Sequence, residues 1–154
     1  MIFECLILGG YFSLHAACRL CPKVYKYCVA ASPVVDWSYY DTGYTERYMG
    51  LPEANEEAYF KSSVLAYVHG LPTDKTRLMI CHGGRDENVH FHHTSRFILD
   101  LDKQMKPYNF QFYPTSRHSF KQYNHFLANF IHFFFSNFRS DMPKQNDDCL
   151  SDCF

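Results

Sequence analysis

Asp86 and His118 are the two residues of this chain whose types and separation suit proton-transfer chemistry. Asp86 sits in RDENVHF, just after the apolar run Leu78-Met79-Ile80-Cys81 and the break His82-Gly83-Gly84, and His118 follows 32 residues later in YPTSRHS. A loop carboxylate that accepts one ring N–H of an imidazole fixes its tautomer and stabilises the cation it becomes. The other ring nitrogen is then free to take a proton from an attacking hydroxyl or thiol.

Such a pair works only if the surrounding elements bring both loops to one place. Leu78 to Cys81 reads as a buried strand, ended by glycines that tolerate unusual backbone angles. A loop after the carboxyl end of a parallel strand lies at the rim of the sheet, where ligands and catalytic groups collect. Val89 to Met105 carries Val89, Thr94, Phe97, Ile98 and Leu101 at helical spacing, and Tyr108 to Tyr113 alternates as a strand does. Strand, acid, helix, strand, histidine is the second half of the Ser, Asp, His chain order of α/β-hydrolases.

Upstream, residues 9 to 20 read as a buried helix entered through Gly9-Gly10, and residues 24 to 31 as a strand ended by Ser32-Pro33. Asp41 is placed to cap a short helix, Gly43 marks a bend, and Glu53, Glu56 and Glu57 suit the first turns of another helix. Phe120 to Phe138 reads as a final helix, followed by a polar tail. The order αβαβαβα gives an α/β fold, a short parallel sheet of three strands with flanking helices as crossovers.

The chain has 154 residues, enough for one domain, with 47% hydrophobic content to fill a core. With 15 basic against 16 acidic residues and no run of either sign, nucleic acid and anionic membrane surfaces are poor partners. Cys5 to Leu8 lacks the basic flank of a signal peptide. FLANFIHFFF is interrupted by Asn129 and His132 and is too short for a membrane span. Seven scattered cysteines fit a reducing, cytoplasmic compartment better than a disulfide scaffold.

The strings DWSYYDTGYTERYMGLPE, HGGRDENVHF and YPTSRHS together resemble the carboxyl-terminal part of the catalytic domain of prolyl oligopeptidase family (S9) serine peptidases. The likeness is to the dipeptidyl peptidase IV branch and, within it, to the cytosolic dipeptidyl peptidase 8/9 group. It runs from about Gly9 to Phe138, so residues 1–138 are expected to be a partial α/β-hydrolase domain and 139–154 a tail. The resemblance implies cleavage after a penultimate proline or alanine, with no metal or other cofactor. It makes Asp86 the triad acid and His118 the triad base. Tyr40 and Tyr44 would wall the pocket for the proline-like residue, Trp37, Val34 and Val89 would pack beside them, and Asn88 would bond the substrate carbonyl.

One departure decides what the chain can do. The family's nucleophile elbow reads Gly-Trp-Ser-Tyr-Gly-Gly. Aligning its last two glycines with Gly9-Gly10 puts Ile7 at the serine, Cys5 at the first glycine and Leu8 at the tyrosine. Isoleucine has no nucleophilic atom. The strand before the elbow, the oxyanion-hole tyrosine and the glutamates that hold the substrate's amino terminus are expected upstream of this sequence. Two readings follow: a partial sequence of an active peptidase, or a short protein that binds intact family members, as a homo- or hetero-dimer, or proline-bearing peptides.

Other constellations have plainer accounts. Ser13 lies within a helix rather than on a strained turn, Ser119 reads as an ordinary loop hydroxyl, and Cys5 falls two positions from the elbow apex. His15, Cys18 and Cys21 share a helix face but lack a second ligand pair, so packed thiols are expected there. His90, His92 and His93 are expected on a solvated face. Phe130, Phe133, Phe134, Phe135 and Phe138 cover too much of the last helix for one buried stripe, so the helix is either central to the core or part of a subunit interface, and the resemblance, which implies dimerisation through this end, favours the second.

Overall fold

The computed structural model describes the backbone of residues 2–6, 8–120 and 123–141 and the side chains of 9–120 and 123–139. Two compact units are present, Met1–Tyr123 and Asn124–Phe154.

The first unit is built on a parallel sheet of β1 (Ile2–Leu6), β2 (Tyr27–Ala31), β3 (Leu78–Gly83) and β4 (Asn109–Tyr113), in that spatial order. Register runs Leu6 to Ala31, Ala31 to Cys81 and Gly83 to Tyr113, so the carboxyl ends of all four strands share one rim. The sheet has four strands and not three. Ile2–Leu6 is a strand ahead of α1, where no strand was expected in this chain, so that expectation is corrected. Four apolar residues around Glu4 are too few for periodicity to distinguish strand from leader, and only the pairing with β2 decides it.

Helix α1 (Leu8–Leu20) follows β1, as the spacing of Leu14, Ala17, Cys18 and Cys21 predicts; all four are buried. β2 starts three residues later than expected because Pro22 to Val24 form a turn and Val24 is exposed. A 3-10 turn over Trp37–Tyr39 and helix α2 (Thr42–Met49) come next. Asp41 caps α2 by accepting the Tyr44 N–H at 2.8 Å, whereas Gly43 lies inside the helix and makes no bend. Helix α3 (Glu56–Ser62), with Glu56 and Glu57 in its first turn, leads into a 3-10 stretch over Val64–Gly70.

Helix α4 (His92–Lys103) spans β3 and β4 and is shorter than its apolar pattern, because residues 84–91 are taken up by the acid loop. It buries Phe97 and Leu101 against Leu14, Val35, Val64, Val68, Leu78 and Ile80. That core sits between the sheet and α1, α4 and the 3-10 stretch, and fixes the strand ends that carry the loops.

The second unit is helix α5 (Tyr123–Asp141) with the residues beyond it. Phe126, Phe130, Phe134 and Phe138 form a ladder at four-residue spacing, with successive ring centroids 6.2, 4.8 and 6.3 Å apart. Phe133 and Phe134 are buried, while Leu127, Ile131, Phe135 and Phe138 are exposed. Among the described residues no helix is long and apolar enough to cross a membrane.

Candidate active site

Asp86 and His118, 32 residues apart in sequence, meet above the carboxyl ends of β3 and β4. The His118 Nδ1–H donates to Asp86 Oδ2 at 2.8 Å and lies 3.0 Å from Oδ1. The carboxylate is buried, and its Oδ1 accepts the backbone N–H groups of Asn88 and Val89 at 3.0 and 2.9 Å. One carboxylate oxygen thus closes its own loop while the other holds the imidazole. The Nε2 atom of His118 is buried with no hydrogen-bond partner among the described residues. In a working triad that nitrogen receives the nucleophile's proton.

The two loops are sewn together through the glycines. Gly84 N–H donates to Tyr113 O at 2.8 Å and Arg85 N–H to Ser116 O at 2.9 Å. At Gly83 a Cβ would press on the Arg117 carbonyl oxygen and lie 2.6 Å from that of Ser116; at Gly84 it would lie 2.8 Å from the Pro114 carbonyl oxygen. Close approach of two backbones, rather than an unusual backbone angle, is therefore what these glycines serve, since among the described glycines only Gly50 has positive φ. Gly83→Ala is expected to cost about 1–3 kcal/mol and to part Asp86 from His118. The check is a lowered urea midpoint together with loss of the hydrogen-bonded His118 ring proton from the NMR spectrum.

The expected pocket residues gather beside this pair. Trp37 stacks on Tyr44 with centroids 6.0 Å apart, and Tyr40 meets Trp37 and Tyr44 edge-on at 5.8 and 5.7 Å. Val34 and Val89 are fully buried and pack with Trp37 and Tyr59, so they back the wall rather than face a ligand. The Tyr40 hydroxyl donates to Asn88 Oδ1 at 2.7 Å, which orients the amide and leaves its NH2 as the group able to donate to a carbonyl. Burial, then the neighbouring Asp41, raises the Tyr40 phenol above its ordinary value and keeps it a donor. A cavity of about 180 Å³ shares Trp37 and Tyr44 but is otherwise lined by Thr45, Tyr48 and Met49 of α2.

Among the remaining candidates, only His93 departs from its expected position. Ile7 and its placement lie outside the described residues. Ser13 is buried within α1, Ser119 is exposed, and the side chain of Cys5 also lies outside the described residues. Cys18, Cys21, Cys28 and Cys81 are buried thiols. Burial pushes Cys18 and Cys28 up to about 12. The His15 Nε2 meets Ser62 O at 3.1 Å, and no group of three metal-ligating side chains exists among the described residues. His90 and His92 are exposed, but His93 is fully buried and its Nδ1 accepts the Val35 N–H at 3.2 Å. Its expected solvated position is corrected. A helix start viewed alone does not show that the loop before Trp37 folds over it.

Residues 8–141 match the prolyl oligopeptidase family. The chain belongs to that family. It is 41% identical over 135 residues to human dipeptidyl peptidase 8, covering 86% of this chain and 15% of that protein. Dipeptidyl aminopeptidase B of Saccharomyces cerevisiae is 36% identical over 120 residues, covering 75% and 14%. The crystal structure of Porphyromonas gingivalis dipeptidyl peptidase 4 superposes with a TM-score of 0.78 at 31% identity, covering 85% of this chain and 18% of that one. The chain therefore spans about 15% of the length of the curated relatives it matches. The α/β fold belongs to the corresponding part of the family's hydrolase fold.

Proposed function

We propose that residues 1–138 form the acid–histidine end of a dipeptidyl peptidase catalytic domain, with 139–154 a tail, and that this chain alone does not hydrolyse peptides. Asp86 holds His118 in the tautomer with its proton on Nδ1, so Nε2 is the basic atom. Tyr40 and Tyr44 present flat apolar faces to a penultimate proline or alanine, backed by Trp37, Val34 and Val89, and Asn88 donates to the substrate carbonyl. Ile7 stands at the nucleophile position, and a hydrocarbon there offers nothing to deprotonate. The observation that carries this reading is His118 itself, tied to Asp86 at 2.8 Å on one nitrogen while the other is buried without a partner among the described residues.

The pairing is tested by the low-field proton spectrum of the isotopically labelled chain. A His118 ring proton held by a carboxylate gives a resolved low-field signal, expected in the unaltered chain and absent in Asp86→Asn. No such signal, or one that survives Asp86→Asn, overturns the pairing. The buried thiols support a reducing compartment, and we place the chain in the cytoplasm on that ground.

A second reading is favoured by the exposed Leu127, Ile131, Phe135 and Phe138 of α5, which suit a subunit contact with another chain of this family. Mixed with a full-length family peptidase at micromolar concentration, the chain is expected to co-elute from size exclusion. Separate elution removes this reading and leaves the first intact.

A further inference from the structure

His82 is fully buried at the end of β3, and both of its ring nitrogens are engaged. Nε2 lies 2.9 Å from the Val89 carbonyl oxygen and Nδ1 lies 2.7 Å from Thr94 Oγ1. A carbonyl oxygen only accepts, so Nε2 carries the proton, Nδ1 bears the lone pair and the Thr94 hydroxyl donates to it. Burial lowers the pKa of His82, so the ring stays neutral and this tautomer is kept.

Val89 is the residue whose N–H donates to Asp86 Oδ1. It is therefore held at both ends, its N–H by the triad acid and its carbonyl by His82. The His82 Nε2 stands 3.6 Å from Asp86 Oδ2, beyond hydrogen-bond reach, so the hydrogen-bonded link from His82 to the acid runs through Val89.

We propose that His82 is a positioning residue for the triad acid: its Nε2–H, with Thr94 setting the tautomer, grips the Val89 carbonyl and keeps the turn 86–89 closed on Asp86 Oδ1. Oδ2 is thereby left to face His118. The inference rests on the acid–histidine reading above and adds the residue that keeps the acid in place. Without that grip the Val89 carbonyl loses a buried partner, the turn opens, and the carboxylate no longer presents a fixed oxygen to the imidazole.

Two substitutions separate positioning from bulk. In His82→Gln the terminal amide nitrogen takes the place of Nε2 and still donates to Val89. In His82→Asn the shorter side chain reaches only the Thr94 end. Long-range nitrogen–proton NMR of the full chain is expected to show His82 protonated on Nε2, with Nδ1 an acceptor. The low-field His118 proton is expected to persist in His82→Gln and to be lost in His82→Asn, whose far-UV circular dichroism remains that of the parent. Amide exchange at Asn88 and Val89 should quicken about five- to tenfold in His82→Asn only.

A His82 proton found on Nδ1, or a His82→Asn chain that keeps the low-field signal and the slow amides, overturns the proposal. Should His82→Asn fail to fold, Thr94→Ser and Thr94→Val decide. Faster Val89 exchange in the valine variant alone supports the tautomer lock, and equal exchange in both refutes it. If the unaltered chain shows no Asp86-dependent His118 proton, it is the acid–histidine reading that fails, whatever tautomer His82 adopts.

Discussion

Ile7→Ser is expected to make this chain reactive toward a fluorophosphonate probe, and His118→Ala in that background to lower the labelling rate about 10²-fold or more. Position 7 follows directly on β1, which ends at Leu6, and directly precedes α1, which begins at Leu8. A strand-to-helix turn is where α/β-hydrolases expose their nucleophile. Because β1, β2, β3 and β4 run parallel in register, the carboxyl end of β1, the Asp86 loop and the His118 loop share one rim of the sheet. A hydroxyl placed there has a base already oriented by a carboxylate. The unaltered chain and Ile7→Ala are expected to stay unlabelled. Labelling of Ile7→Ser that is indifferent to His118 would show that the imidazole is out of reach and that the positional assignment of residue 7 is wrong.

Acidification from pH 7.5 to 5 is expected to lower stability by about 2 kcal/mol through His93 alone. Burial, then the nearby His82, holds the His93 pKa down to about 4, while Asp36 pulls weakly the other way. The unfolded chain, with an ordinary histidine near 6.5, takes up its proton first, so between these values the unfolded state binds more protons. Stability from this group is complete above about pH 6.5 and is lost as the pH falls toward 4. The structural reason is that a proton on Nδ1 would replace the acceptor for the Val35 N–H by a second donor. Val35 also accepts from Val64 N–H at 2.8 Å, so the loop before the aromatic wall is loosened with it. Urea midpoints at the two pH values test this, with His93→Asn as the comparison because its amide oxygen can accept without titrating. A midpoint that holds steady or rises on acidification, or a slope unchanged in His93→Asn, contradicts it.

What was legible in the sequence had a short-range cause. Asp86 follows an apolar strand and His118 follows the next one, so strand order alone brings them to one rim; Asp41 caps α2 because a carboxylate three residues before an N–H needs only local geometry. α1 showed itself by the spacing of Leu14, Ala17 and Cys18. The parts that escaped depend on distant partners. Ile2–Leu6 is a strand only by virtue of β2. His82 looked like part of a break, yet it lies within β3 and ties down Val89. His93 looked like one of three surface histidines until the Val35 loop covered it. The need for glycine at 83 and 84 comes not from backbone angle but from crowding by Ser116, Arg117 and Pro114, about thirty residues away. The Tyr40 to Asn88 bond joins two residues that family likeness had already paired in one pocket, but no spacing rule connects positions 48 residues apart.

The most direct test of the whole account is turnover of a glycyl-prolyl chromogenic substrate by the purified chain, measured beside its His118→Ala variant. Loss of a triad nucleophile costs about 10⁶-fold in rate, so release at the rate of buffer alone, identical in both proteins, is the predicted result. Release well above buffer that disappears in His118→Ala would mean that some hydroxyl or thiol does reach the buried Nε2, and would contradict it.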